Sequence, residues 1–359
     1  MKRFLLTICS LLLGVFVALA VTEILARNVF TDFADNATYL DRALARLLNS
    51  GVIVDPNSDN YHPRYGFVFS PNSQTAHVTD EFSYTVRTNS LGFRTREIAP
   101  KTDAEYRIML VGDSMFWGVG VERPETIATL VRKMGESLQQ PTLSVYNYSV
   151  SGYNTVQELL VARDHVAHVE PDHIILGFFI ANDIIPNAIA SVDGTGNYTT
   201  SAAMINGLKN DIKERFGVFF NSVVFRILAF HAYVPRLRHE IATSDEIIER
   251  SYALLKEFNG FAKRNQSRFS VVIFHPLNSV QGGVVTWWTK SRETGKKIHA
   301  FCQQQAIEAL DLSDYMNTRE HLRFFFQKDG HLNREGNHVV AEAIFNDLVK
   351  NKLIQQKDP

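Results

Sequence analysis

Apolar, β-favouring runs recur along the chain, and helix-like stretches follow them. Arg107-Ile108-Met109-Leu110-Val111 reads as the heart of a buried strand over 106–112. The same pattern predicts strands at 143–149, 173–180 and 269–275, with a short fifth near 307–312. Helices are predicted at 124–138, 155–168, 244–265, 290–305 and 335–351. Strands that alternate with helices build a parallel sheet covered on both faces. The predicted fold class is therefore α/β: a three-layer α/β/α sandwich on a parallel sheet. Ahead of it, Thr75–Val78 and Tyr84–Thr88 read as a small hairpin, and Arg27–Leu48 as a stalk helix.

The chain opens on a different pattern. Lys2-Arg3 precede eighteen uncharged, mostly apolar residues, Phe4 to Val21, at the lower limit for a membrane-crossing helix. The basic flank predicts a cytoplasmic N-terminus and an exported remainder, periplasmic or extracellular. Ala18-Leu19-Ala20 has the form of a signal-peptidase site. Apolar character continues through Val21, Ile24 and Leu25, which suits an uncleaved N-terminal membrane helix. A cleaved secretory signal is the alternative. The expected organisation is anchor or signal over 1–26, stalk and strand-containing lead-in over 27–104, the α/β domain over 105–351, and a tail over 352–359. The domain carries an insertion at about 186–243. Within it, Phe216 to Val234 is strongly apolar. A lid, a face resting on the bilayer and an ordinary core-packing helix all remain open for that segment.

Composition narrows the classes. With 359 residues, 45% of them hydrophobic, one large core is feasible without disulfides. Cys9 lies in the apolar segment, so Cys302 is alone in the exported part. A net charge of −1 gives no bulk attraction to nucleic acid. Neither cysteine–histidine metal spacing nor a phosphate-cradling Gly-Lys-Ser loop occurs, so no metal or cofactor is expected.

The candidate chemistry lies at strand ends. Gly112-Asp113-Ser114 follows the first strand, with Gly112 expected to supply a turn that a side chain would hinder. A serine there stands at the carboxyl edge of the sheet, where open α/β folds place ligands. Serine needs a base to become a nucleophile, and the base works best when a third group orients it. Asp329-Gly330-His331 offers both, if the two side chains share one side of an extended segment. The competing reading makes Asp329 the cap of the last helix and His331 a surface residue. Gly152 and Asn182 follow the second and third strands. With the N–H of Ser114 they can surround one point as an oxyanion hole. Taken separately, Gly152 is a turn glycine and Asn182 a helix cap. His275, at the end of the fourth strand, is a candidate pocket residue. Trp287-Trp288, in the loop after it, offer an apolar wall or a sugar-stacking platform, or a buried aromatic pair.

The order Gly-Asp-Ser, then Gly, then Asn-Asp, then Asp-x-His resembles that of the SGNH/GDSL hydrolases, and Thr88-Asn89-Ser90-Leu91-Gly92-Phe93-Arg94 resembles the lead-in of their membrane-anchored bacterial members. The resemblance spans Tyr106 to Leu348. It implies a flavodoxin-like sheet, with Ser114 as nucleophile, His331 as base and Asp329 as its orienting acid. It also implies Ser114, Gly152 and Asn182 as oxyanion donors. The chain departs from the family pattern at three points. Met115 stands where leucine is common, Ile180 where a glycine precedes the Asn by two, and Asp-x-His where Asp-x-x-His is usual. The implied activity is hydrolysis of an ester on a small molecule, a lipid or an acylated glycan. An O-acyltransferase with a glycan acceptor shares the same residues. A non-catalytic envelope scaffold or glycan-binding module would keep the fold without needing them.

Overall fold

The computed structural model describes residues 2–31, 59–232, 244–276, 286–316 and 321–356, with scattered positions in 35–44 and 236–241. Side chains are described from Gly14 onward and, in the helix that starts at Thr286, from Glu293. Two compact units result, Met1–Asn49 with Ser201–Ile241, and Ser50–Thr200 with Ala242–Pro359. The stretch expected as one insertion is thus divided between them.

The second unit is built on five parallel strands: β1 (Glu105–Val111), β2 (Thr142–Asn147), β3 (His173–Phe179), β4 (Arg268–Phe274) and β5 (Glu308–Asp311). Their spatial order is 5-4-3-1-2, which read from the other edge is the flavodoxin-like order 2-1-3-4-5. The helices of this unit are α1 (Ser114–Trp117), α2 (Ile127–Met134), α3 (Thr155–Val169), α4 (Ile180–Ile189), α5 (Asp245–Arg264), α6 (Thr286–Gln304) and α7 (Arg334–Lys350). Side chains alternate across the sheet. Met109, Val111, Ile174, Leu176 and Phe178 join one core with Val161 of α3, Ile184 of α4, Phe258 of α5 and Ile298 of α6. Ile108, Leu110, Ile175 and Phe179 join the other with Val131 of α2 and Ile344 of α7. Two dry faces on one parallel sheet are the physical content of the α/β expectation.

Some elements differ from the sequence reading. The helix expected over 124–138 shortens to Ile127–Met134, with 3-10 turns at Arg123–Glu125 and Gly135–Ser137. Pro124 and Gly135 fall in those flanking turns, where neither interrupts the helix itself. Trp287-Trp288 were placed in a loop but lie in α6; their side chains fall outside the described residues. One-turn helix α1 and helix α4 are additions, because short buried helices lack a 3.6-residue stripe to reveal them.

In the first unit, Lys2–Val29 forms one helix. No helix among the described residues is long and apolar enough to cross a membrane, so the structure gives the expected membrane helix no support. Much of the apolar run that carries that expectation, Phe4 to Leu13, has side chains outside the description. The Arg27–Leu48 stalk is likewise described only in part. The apolar segment after Phe216 includes a helix at Val223–Ala232. Its first N–H groups, on Val223 and Val224, donate to the Glu23 carboxylate at 2.8 and 3.2 Å, and the Ser222 hydroxyl donates to it at 2.9 Å. A distant acid therefore satisfies the open helix start. This face packs on the N-terminal helix within its own unit, while Phe219 and Leu228 stay exposed.

Candidate active site

Strand register brings the segments that carry Ser114, Gly152 and Asn182 to one sheet edge. Val111 pairs with Leu176, and Leu110 with Asn147. The chain segments leaving β1, β2 and β3 thus emerge side by side at the carboxyl edge. The point between β1 and β3 is where the strand order reverses, the crevice that such sheets offer a ligand.

Ser114 opens α1 and is 6% exposed. Asp113 caps that turn, its Oδ1 accepting the Met115 N–H at 2.9 Å. Gly112 is needed for space rather than for a turn: its φ is not in the left-handed region. A side chain there would start 3.0 Å from the Phe116 ring and 3.3 Å from the Gly177 carbonyl. Left-handed backbone comes instead at Gly118 and Gly120, with φ of 81° and 83°. Arg94 clamps the far end of the turn, donating to the carbonyls of Trp117 (2.9 Å), Gly118 (2.6 Å) and Val121 (2.7 Å). Burial pulls its pKa down to about 10, so it stays cationic at neutral pH.

Gly152 lies in the turn after β2 with φ of 92°. That loop is fastened to the nucleophile turn, the Val150 N–H donating to the Gly112 carbonyl at 3.0 Å and the Asn147 amide to the Phe116 carbonyl at 2.8 Å. Asn182 is buried in the first turn of α4. It is not the cap of that helix; the neighbouring Asp183 accepts the Phe179 N–H at 2.7 Å.

The acid–base pair is formed. His331 Nδ1 and Asp329 Oδ1 are 2.5 Å apart. The hydrogen bond from His331 is the main influence holding the Asp329 carboxyl below its ordinary range. The segment is a turn and not the extended piece expected, because Gly330 takes φ of 90° between them. Gly330 N–H donates to the Phe326 carbonyl, and the Phe326 N–H to the His331 carbonyl, both at 2.8 Å. Asn333, not Asp329, caps α7 through the Gly336 N–H. The Ser114 hydroxyl makes no hydrogen bond among the described residues, so the serine is not joined to His331 here. Such contacts are often long without substrate. His331 nevertheless acts electrostatically on Asp113, the residue before the serine.

Three contributors escape the sequence reading. Glu81, at the tip of the hairpin Gln74–Val78/Ser83–Arg87, accepts the backbone N–H groups of Lys328 and Asp329 at 2.8 and 2.7 Å. Arg94 is the second. The third is Asp311, which pairs with His275 at 2.7 Å. Burial is the largest single influence on the Asp311 carboxyl and raises it, but the hydrogen bond and charge of His275 together with the Ser313 hydrogen bonds outweigh it and hold the pKa at about 2. His275 is thus a buried partner of its own acid, and among the described residues Asp329 is the carboxylate paired with His331.

No protein-family model matches the chain, and no curated protein matches it in sequence. Among solved structures, the chain is similar to the lipase/acylhydrolase from Enterococcus faecalis at 17% identity and a TM-score of 0.41, over 71% of this chain and 100% of that one. It is similar to a member of the lipolytic protein G-D-S-L family from Veillonella parvula at 15% identity and 0.43, over 69% and 100%. A psychrotrophic esterase, EstA from Pseudoalteromonas sp., stands at 13% and 0.39, over 69% and 98%. The likenesses are loose.

Proposed function

We propose that the protein is a serine esterase in which Ser114 attacks an ester carbonyl while His331 takes its proton. The observation that supports this reading is the Asp329–His331 pair, 2.5 Å apart, with His331 near enough to act on Asp113, the residue before Ser114. Asp329 keeps the imidazole in the tautomer whose Nε2 accepts a proton. The backbone N–H groups of Ser114 and Gly152 and the amide of Asn182 bind the oxyanion. The alcohol leaves with the proton from His331, and water, deprotonated by the same residue, releases the acid and regenerates the serine.

Export and attachment to a membrane by the N-terminal segment are part of the same proposal. Their support is the sequence alone: Lys2-Arg3 followed by Phe4 to Val21.

Hydrolysis of p-nitrophenyl acetate tests the reaction class. Ser114→Ala is expected to lower turnover by several orders of magnitude with an unchanged melting profile, since only a hydroxyl is removed. Undiminished turnover in a folded Ser114→Ala protein would remove this serine from the mechanism.

A further inference from the structure

Behind the nucleophile turn, three carboxyl groups are buried together. Asp113 and Asp183 are 0% exposed and Glu158 is 1% exposed. Glu158 lies one turn along α3 from Thr155, on the side where Thr155 meets Asn187 of α4. Among the described residues, neither oxygen of Glu158 has a hydrogen-bond partner; nor do Asp183 Oδ1, Asp113 Oδ2 or Asn182 Oδ1. Each of these five atoms is an acceptor. The Asn182 side chain lies beside Asp113 and favours its ionised form, yet in a geometry short of a hydrogen bond. Unpaired buried acceptors are costly, and like charges in one dry site cannot all persist. A proton on a carboxyl turns an acceptor into a donor and can satisfy two such oxygens at once.

We propose that Glu158 is a positioning residue that stays a neutral acid at neutral pH and donates its proton within this cluster, leaving the charge on Asp113. Asp113 is the member placed to use a charge, since it caps the Ser114 turn and neighbours Asn182 and His331. Burial pushes the Asp113 carboxyl up to about 6, with the Met115 N–H, Asn182 and His331 drawing it back. Burial raises Asp183 and Glu158 as well, with neighbouring carboxylates adding to both, while the Phe179 N–H and Thr155 draw Asp183 back. Among the described residues, the charged groups acting on these three are one another and His331. From α5 the contact is uncharged, the Ser251 hydroxyl on Asn187. No atom is transferred outside the cluster: one proton sits on Glu158 and one on Asp183.

The sign of the stability effect follows. A carboxyl raised in the folded state binds a proton that the unfolded chain has lost, so stability falls as pH rises from about 4 toward the folded value. Infrared spectroscopy of the full chain near neutral pH is expected to show protonated-carboxyl absorption, part of which disappears in Glu158→Gln. The fall in melting temperature between about pH 5 and about pH 8 is expected to be shallower in that variant than in the wild type. A difference spectrum showing loss of an ionised carboxylate, or an unchanged pH slope, would overturn the proposal. If Glu158→Gln does not melt cooperatively, the wild-type spectrum titrated to alkaline pH decides instead: no loss of the protonated band contradicts it. The positioning arm rests on the esterase reading. Glu158→Leu is expected to lower kcat by on the order of tenfold at unchanged KM, with Glu158→Gln restoring most of it. Equal kcat in all three would leave Glu158 without a positioning role. Inactivity of the wild type toward every ester would count against the esterase reading and leave the spectrum to judge the proton.

Discussion

In the proposed mechanism His331 exchanges protons in both half-reactions, whereas Asp329, 2.5 Å away, orients and stabilises it. His331→Ala is therefore expected to fall to the Ser114→Ala background. Asp329→Ala is expected to lose on the order of a thousandfold or more in kcat while staying above that background, because the imidazole remains. Pre-steady-state kinetics on an activated ester separates them, and wild-type turnover in Asp329→Ala would show that another acid serves. The serine and the histidine are legible in sequence, since each follows a run whose pattern predicts a strand end or a helix start. The Asp329–His331 pairing is legible as well, but not the turn that makes it, since Gly330 takes a left-handed backbone where an extended segment is expected. Glu158 is invisible for another reason. A glutamate in a helix ordinarily faces water, and its burial comes from the packing of α3 among the sheet, α4 and α5.

At the scale of elements, the hairpin Gln74–Val78/Ser83–Arg87 is a brace for the base-bearing turn. Glu81 receives two backbone N–H groups from that turn, and Lys328 pairs with Asp80. The same lead-in supplies Arg94, whose guanidinium holds three carbonyls around the nucleophile turn. Glu81→Ala is expected to lower kcat/KM by on the order of tenfold, through misplacement of His331. Its melting temperature is expected to change little, because the contact is on the surface. A kcat/KM equal to wild type would show that the turn holds its shape unaided. The hairpin itself is legible from its two strand-like runs. Its target is not, since Glu81 and Asp329 are brought together only by the tertiary fold.

Over the whole molecule, the periodicity of the chain reveals the α/β class because a parallel sheet needs apolar strands buried on both faces, as Ile108 through Val111 are. The allotment of 201–241 to a unit with the N-terminal helix is not legible. It turns on Glu23 reaching a helix start about two hundred residues away. Lys2-Arg3 followed by Phe4 to Val21 carries the proposal of membrane attachment from the sequence alone. The full-length protein is accordingly expected to stay with membranes through high-salt and carbonate washes; a soluble form beginning near Val21 would mean a cleaved signal. The central claim, that Ser114 is an activated nucleophile, is tested most directly by reaction of the full chain with a fluorophosphonate probe, followed by mass spectrometry of the labelled peptide. The account predicts one adduct, on Ser114, absent after heat denaturation and in Ser114→Ala. Absence of labelling in a folded protein, or an adduct on another residue, would contradict it.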